Sequence, residues 1–208
     1  MKTLPFDFAP DVRPLAARMR PLSLSEYSGQ SHLVGEHTAL RAAIEAGRIS
    51  SLILWGPPGS GKTTLAELIA SYCQANVLRL SAVTSGVKEI RDAIDQAKYT
   101  LQQSAKRTLL FVDEVHRFNK SQQDALLPHI EDGTIIFIGA TTENPSFSLN
   151  NALLSRARVC VLQKLSEADL HALLQRTLKD TTRGLGAQEV RIDDAASNLL
   201  VQLADGDA

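Results

Sequence analysis

Residues 51–72, SLILWGPPGSGKTTLAELIASY, spell out a strand, a glycine-rich loop and a helix in immediate succession. Leu52-Ile53-Leu54-Trp55 is a short apolar run, the pattern of a strand buried on both faces of a parallel sheet. Gly56-Pro57-Pro58-Gly59-Ser60-Gly61-Lys62-Thr63 then matches G-x-x-x-x-G-K-[ST], the phosphate-binding loop. Beyond it Leu65, Leu68, Ile69 and Tyr72 fall at helical spacing, so a helix opens where the loop ends. Each part has a chemical reason. Glycine lets the backbone approach phosphate oxygens, and the converging N–H groups have the positive end of a helix dipole behind them. Lys62 is placed for the β- and γ-phosphates, the Thr63 hydroxyl for Mg²⁺, and Thr64 completes the first helical turn. With a strand before it and a helix after it, the motif predicts a site for a nucleoside triphosphate, ATP with Mg²⁺.

The chain has 208 residues, enough for one good core and part of a second domain. Hydrophobic residues make up 44% and charged residues 22%, and the formal net charge is −1. No global basic field announces nucleic acid, so any such contact must be a local patch. The apolar runs are too short to cross a bilayer, which argues against a membrane partner, and residues 1–14 lack the apolar segment of a secretory signal. Cys73 and Cys160, with no Cys-x-x-Cys pair, argue against a disulfide framework and against zinc. The five histidines, His32, His37, His116, His129 and His171, show no ligand spacing. The expected location is the cytoplasm.

From the loop outward, strand and helix alternate. Residues 76–82 alternate as a second strand, and residues 87–103 place Val87, Ile90, Ile94, Ala97 and Leu101 at helical intervals. Residues 108–113, TLLFVD, are a central strand ending in acid. Ser121 is the expected N-cap of a helix that Pro128 should bend or shorten. Residues 134–140 form the fourth strand, 149–155 a short helix and 158–162 the fifth strand. Upstream, residues 36–47 read as a helix ending at Gly47. The alternation predicts an α/β fold: an open parallel five-stranded sheet with helices on both faces. From Ser166 the texture becomes helical, with a capping box of Ser166 and Asp169 and a second helix starting near Asp193 or Asp194. The expected division is a flexible, extended lead-in at 1–14, a nucleotide-binding core at 15–164 and a helical unit at 165–208, which begins a small lid.

In such sheets ligands collect at the carboxyl ends of the strands, where the phosphate loop, Asp113-Glu114 and Thr141-Thr142 all fall. Asp113 can hold Mg²⁺ and Glu114 can orient or deprotonate the attacking water. Residues 139–144, GATTEN, either meet the γ-phosphate and the water or simply cap a helix. Arg156 and Arg158 either favour the negative end of a helix dipole or reach a neighbouring subunit's phosphate as an arginine finger.

In that order, GPPGSGKT, FVDE, GATT and Ser155-Arg156 resemble the AAA+ ATPases of the clamp-loader kind. SAVTSGVKEIRDAI, DEVHRFNKSQQDALLPHIEDG and IGATTENPSFSLNNALLSRARV go further. They are similar to the replication-associated recombination protein A family, whose eukaryotic relative is the Werner-helicase-interacting protein. The resemblance implies a DNA-dependent ATPase of replication-fork maintenance and recombination. Residue by residue it implies Lys62, Thr63 and Asp113 on phosphate and metal, Glu114 on water, Thr141 or Thr142 as first sensor, and Arg156 as the finger. Residues 20–32, with Tyr27 and Gln30, match the adenine-side segment. The helix carrying Lys88 and Arg91 matches one that tracks DNA backbone, the alternative being a solvated helix face.

Implied partners are DNA at forks or at single-strand/double-strand junctions, further copies of the chain, and single-stranded-DNA-binding protein. The implied setting is the nucleoid of a bacterial cytoplasm. The family continues past the equivalent of Ala208 into a second-sensor arginine pair, the rest of the lid and an oligomerising domain. This leads to the expectation that the 208 residues alone bind nucleotide and hydrolyse little, with Leu199, Leu200 and Leu203 exposed. A helicase reading of Asp113-Glu114-Val115-His116 requires a second recombinase-like domain that this length does not hold. A nucleotide-binding scaffold without hydrolysis is the other alternative.

Overall fold

The computed structural model describes residues 13–207; of the lead-in expected at 1–14, all but Arg13 and Pro14 lies outside them. The described chain opens with three short helices, α1 (Leu15–Arg18), α2 (Ser31–Val34) and α3 (Ala39–Glu45). The expected start of α3 at residue 36 moves inward because Thr38 caps it, accepting from Arg41 N at 3.3 Å. Then come β1 (Leu52–Trp55), α4 (Lys62–Tyr72), β2 (Asn76–Ser81), α5 (Val87–Ser104) and β3 (Thr108–Asp113). A 3-10 turn at Val115–Arg117 leads into α6 (Lys120–Glu131) and β4 (Ile135–Thr141). Two one-turn helices, α7 (Pro145–Ser148) and α8 (Asn151–Leu154), precede β5 (Arg158–Val161). The last helices are α9 (Glu167–Lys179) and α10 (Asp194–Ala204), with a 3-10 turn at Gly186–Gln188 between them.

The five strands form one parallel sheet in the order β2-β3-β4-β1-β5. Successive side chains of a strand face opposite sides, so an unbroken apolar run feeds two cores at once. Leu52, Leu54, Leu109, Phe111, Ile136 and Ile138 pack with Leu65, Leu68 and Ile69 of α4 and with Leu40 and Ile44 of α3. Ile53, Leu110, Val112, Ile135 and Phe137 pack on the other side with Ile90, Ile94 and Ala97 of α5 and Leu126 of α6. Each such fully buried side chain contributes about 1.5–3 kcal/mol of transfer free energy. The layered arrangement is therefore one in which the residues of β1, β3 and β4 find apolar cover on both faces of the sheet, whereas β5, at one edge, buries only Cys160. β2, at the sheet's edge, is only half-buried.

α9 and α10 pack on one another around a small cluster of Leu165, Leu170 and Val201. Ser166 and Asp169 close the anticipated capping box on α9. Arg176 of α9 donates to Glu26 O at 2.7 Å and Met19 O at 2.8 Å, and Arg183 donates to Glu26 Oε2 at 3.0 Å. The Arg183 hydrogen bond holds the Glu26 carboxyl below its usual range. The segment before α2 is thereby strapped to the helical unit. On α10, Leu199, Leu200 and Leu203 are exposed.

One local expectation needs correction. The cap of α6 is Asn119, not Ser121: its side chain accepts from Gln122 N at 3.0 Å while Gln122 Oε1 accepts from Asn119 N at 2.9 Å. Pro128 lies inside α6, which runs on to Glu131.

Candidate nucleotide site

The loop between β1 and α4 adopts a shape only glycine serves easily. Gly59 and Gly61 have φ of +67° and +89°, and a Cβ on Gly61 would lie 2.7 Å from Tyr27 Oη. Gly61 occupies the N-cap of α4 with no side-chain cap, so the first N–H groups of the helix face the loop without a protein acceptor from the cap. Ser60 is buried and folds its hydroxyl onto Pro57 O at 2.8 Å. Lys62 is buried too, its ammonium donating to Gly56 O at 2.9 Å and Pro57 O at 2.7 Å. Burial lowers its pKa, and the charges of Glu114, Asp113 and Asp207 oppose that shift. A desolvated cation held by neutral carbonyls fits an anionic ligand. A cavity of about 400 Å³ beside it is lined by Arg20, Gly59, Gly61, Lys62, Thr63 and Thr64 among others.

The sheet brings the remaining candidates to this loop. Gly56 N donates to Thr141 O at 3.1 Å, linking the end of β1 to the end of β4. Asp113 closes β3; its Oδ1 accepts from Glu114 N at 3.1 Å, which leaves Oδ2 as the oxygen to take a cation or its water. Glu114 sits in the left-handed region, φ 53° and ψ 43°, an uncommon conformation for a residue with a side chain. Thr141 is fully buried, and its Oγ1 accepts from Glu143 N at 3.1 Å. Of the two threonines it is the one whose hydroxyl is fixed beside the acids. Asn144 caps α7 by accepting from Ser146 N at 3.0 Å, so residues 139–144 run from the end of β4 into the start of a helix.

Other candidates stand differently. Tyr27 is buried against the loop with its hydroxyl donating to Gly61 O at 3.2 Å, and burial raises its pKa. It borders a cleft of about 80 Å³ with Ser28, Gly61, Leu165 and Leu173. Gln30 spends its amide on the protein itself: Nε2 donates to Gln163 O at 2.7 Å and Oε1 accepts from Gln163 N at 2.9 Å. It is a strut between the loop region and the start of the helical unit. Arg156 hydrogen-bonds and pairs with Glu131 of α6 and donates to Ala152 O at 2.8 Å, outside the phosphate-loop cluster. Lys88 and Arg91 are exposed at the start of α5, away from that cluster, and Glu89 Oε2 accepts from Gly86 N at 2.7 Å. That acid already takes part of the helix N-terminus. Two residues were given no role of their own in the site prediction. Arg20, which the resemblance puts at the head of the adenine-side segment, lines the cavity beside Lys62 and is paired with Glu67 at 3.1 Å. His116 lies between Glu114 and Thr141, and its only signal was its place in the acid box.

A nucleotide-binding loop on a 2-3-4-1-5 parallel sheet, with an acid pair on β3, defines a phosphate-loop ATPase. The ATPase family associated with various cellular activities (AAA) matches residues 52–165, and the chain belongs to that family. It is 61% identical over 209 residues to replication-associated recombination protein A of Haemophilus influenzae, a match that covers all of this chain and 47% of that relative. Against ATPase WRNIP1 of Dictyostelium discoideum the identity is 50%, over 94% of this chain and 22% of that protein. The chain thus spans about half or less of the length of these relatives. Among solved structures it is similar to the Thermotoga maritima RuvB Holliday junction branch migration motor. There the TM-score is 0.72 and the identity 31%, with 91% of this chain and 61% of that one covered.

Proposed function

We propose that the chain is the ATP-binding and ATP-hydrolysing module of a DNA-dependent, clamp-loader-like ATPase that acts in replication-fork maintenance and recombination. The observation that carries the reading is the convergence of Lys62, the uncapped start of α4, Asp113 and Glu114 at the carboxyl ends of β1 and β3. Phosphoryl transfer is catalysed by positioning and charge stabilisation, and these groups supply both. Lys62 and the N–H groups of α4 would hold phosphate, Thr63 and Asp113 the Mg²⁺, and Glu114 the attacking water. The names of the relatives, one of them a DNA motor, support a substrate of branched or gapped DNA.

Arg156 is assigned as the finger completing a neighbour's site, which makes the working form a homo-oligomer. In its own subunit it is held by Glu131 and must leave that pair to act. Single-stranded-DNA-binding protein is a candidate partner, and the bacterial nucleoid is the location this reading implies.

The test is ATP affinity and steady-state turnover, with and without forked or gapped DNA, on this chain and on a chain of the relatives' full length. Binding by both and DNA-stimulated turnover by the longer are expected. Arg156→Ala in the longer chain should leave binding intact and lower turnover by about 10³–10⁵. Failure of either chain to bind Mg–ATP, or turnover indifferent to DNA, overturns the reading.

A further inference from the structure

A second cationic surface lies along α4, beyond the phosphate loop. Residues 13–20, in and around the one-turn helix α1, carry three arginines, Arg13, Arg18 and Arg20. Alternation along β2 sends Leu78 and Leu80 to the α5 side of the sheet, so Val77 and Arg79 face the α4 side at the sheet's edge. Lys106 follows in the loop between α5 and β3, and Arg183 in the loop after α9. These segments meet beside Glu67, Leu68 and Ser71 of α4 around a groove of about 930 Å³, more than twice the volume of the cavity next to Lys62. Six cations and one acid line it, although the formal charge of the whole chain is −1, so the surplus is local. The acid, Glu67, already serves two of the cations, pairing with Arg20 and Arg79 at 3.1 Å each. Arg183 is matched by Glu26 and Asp180. Arg18 keeps its Nε buried with no hydrogen-bond partner among the described residues. A buried donor of a charged group is costly to leave unpaired, so the groove fits a surface that an anion completes.

We propose that this groove holds the sugar–phosphate backbone of DNA, as a contact additional to any made by α5. Guanidinium groups match phosphate oxygens in a planar, two-pronged geometry that no carbonyl or amide in the groove can offer. Cations supplied by separate segments suit the repeated charges of a polymer better than a single small anion. The groove is open to it: the side chains of Arg20 and Arg79 are 48% and 55% exposed. No aromatic side chain lines it, which removes both a stacking platform for bases and the anchors typical of a peptide interface. What remains is backbone contact without sequence readout. On α5, by contrast, Lys88 and Arg91 share their helix with exposed Glu89, Asp92 and Asp95. The inference rests on the DNA-dependent reading above and deepens it by giving the DNA a place. That place adjoins the nucleotide, because Ala17 and Arg20 line both the groove and the cavity next to Lys62.

The experiment is an anisotropy titration of a fluorescein-labelled forked duplex with this chain over a series of KCl concentrations. The parent should bind with a Kd of about 10⁻⁴–10⁻⁶ M near physiological salt. In the variant Arg18→Gln, Arg79→Gln, Lys106→Gln the slope of log K against log salt should fall by about 0.9 for each phosphate no longer neutralised. Arg18→Lys with Arg79→Lys keeps the charge and should keep the slope. Mg–ATP affinity of the glutamine variant should equal the parent's, since none of the three lines the cavity next to Lys62. If that variant loses Mg–ATP binding, Lys106→Gln alone, at an exposed loop position, should still lower the slope by about 0.9. A parental slope in the variant that retains Mg–ATP binding, or in Lys106→Gln where that variant stands in, overturns the proposal alone. Tighter binding of a glutamate-rich peptide than of the duplex, lost in the same variant, assigns the groove to an acidic protein segment and overturns it too. A parent chain that binds Mg–ATP and no DNA at low salt overturns the DNA part of the reading above, and the proposal with it.

Discussion

Lys62 and Glu114 divide the work of the site, and one substitution at each separates them. Lys62 is the buried cation of the loop, and a charge-assisted hydrogen bond contributes about 1.5–3 kcal/mol. Lys62→Ala is therefore expected to remove ATP binding measurable by calorimetry. Glu114→Gln keeps the size of the side chain and loses the base, so binding should persist while turnover in the full-length oligomer falls about 10²–10⁴-fold. Parental turnover in that variant would take the water role away from Glu114. At this scale the sequence is informative where chemistry is local. Lys62, Thr63 and Asp113 sit in a loop and at a strand end whose spacing alone implies their surroundings. Gln30 and His116 were illegible for the opposite reason. The partners of Gln30 lie at Gln163, and Thr141 reaches His116 only because β3 and β4 are neighbours in the sheet. Nothing in the spacing distinguishes His116 from the other four histidines.

Among the elements, α5 is where a DNA contact would fall. Lys88 and Arg91 project from its first turns, but Glu89, Asp92 and Asp95 are exposed on the same helix. Replacing both cations with alanine in the full-length oligomer should weaken binding about equally for all DNA sequences. It should also reduce the slope of log K against log salt by about 0.9 for each DNA phosphate that is no longer neutralised. An unchanged slope would return both residues to an ordinary solvated face. The helices themselves are mostly readable, because apolar spacing and caps act over a few residues. Ser166 with Asp169 foretells the start of α9, and the pair Asp193-Asp194 that of α10. α6 departs from its expected form in its cap. Asn119 forms a reciprocal box with Gln122 that Ser121, already inside the helix, cannot form. Pro128 is accommodated inside a helix whose Leu126 is buried against the sheet.

For the whole molecule the strand order matters most, and it is the part least open to reading. Alternation predicts parallel strands, but which strand lies beside which is settled by side-chain packing across the sheet. β1 lies between β4 and β5, pairing Leu52 with Ile138 on one side and Arg158 on the other. β2, β3 and β4, by contrast, are neighbours in the order of synthesis. Contacts between distant parts of a chain carry the larger loop-closure cost and form later. In pulse-labelled hydrogen exchange during refolding, amides of β3 should gain protection before those of β1 and β5. Simultaneous protection of all five strands would refute this order. On a ribosome the consequence is sharper. Leu52-Ile53-Leu54-Trp55 is made early, yet one of its two partners emerges only after another hundred or so residues, at about 5–20 residues per second. For several seconds the most apolar strand of the site is a sticky, unpaired nascent segment, and a chaperone that recognises such segments would meet it there.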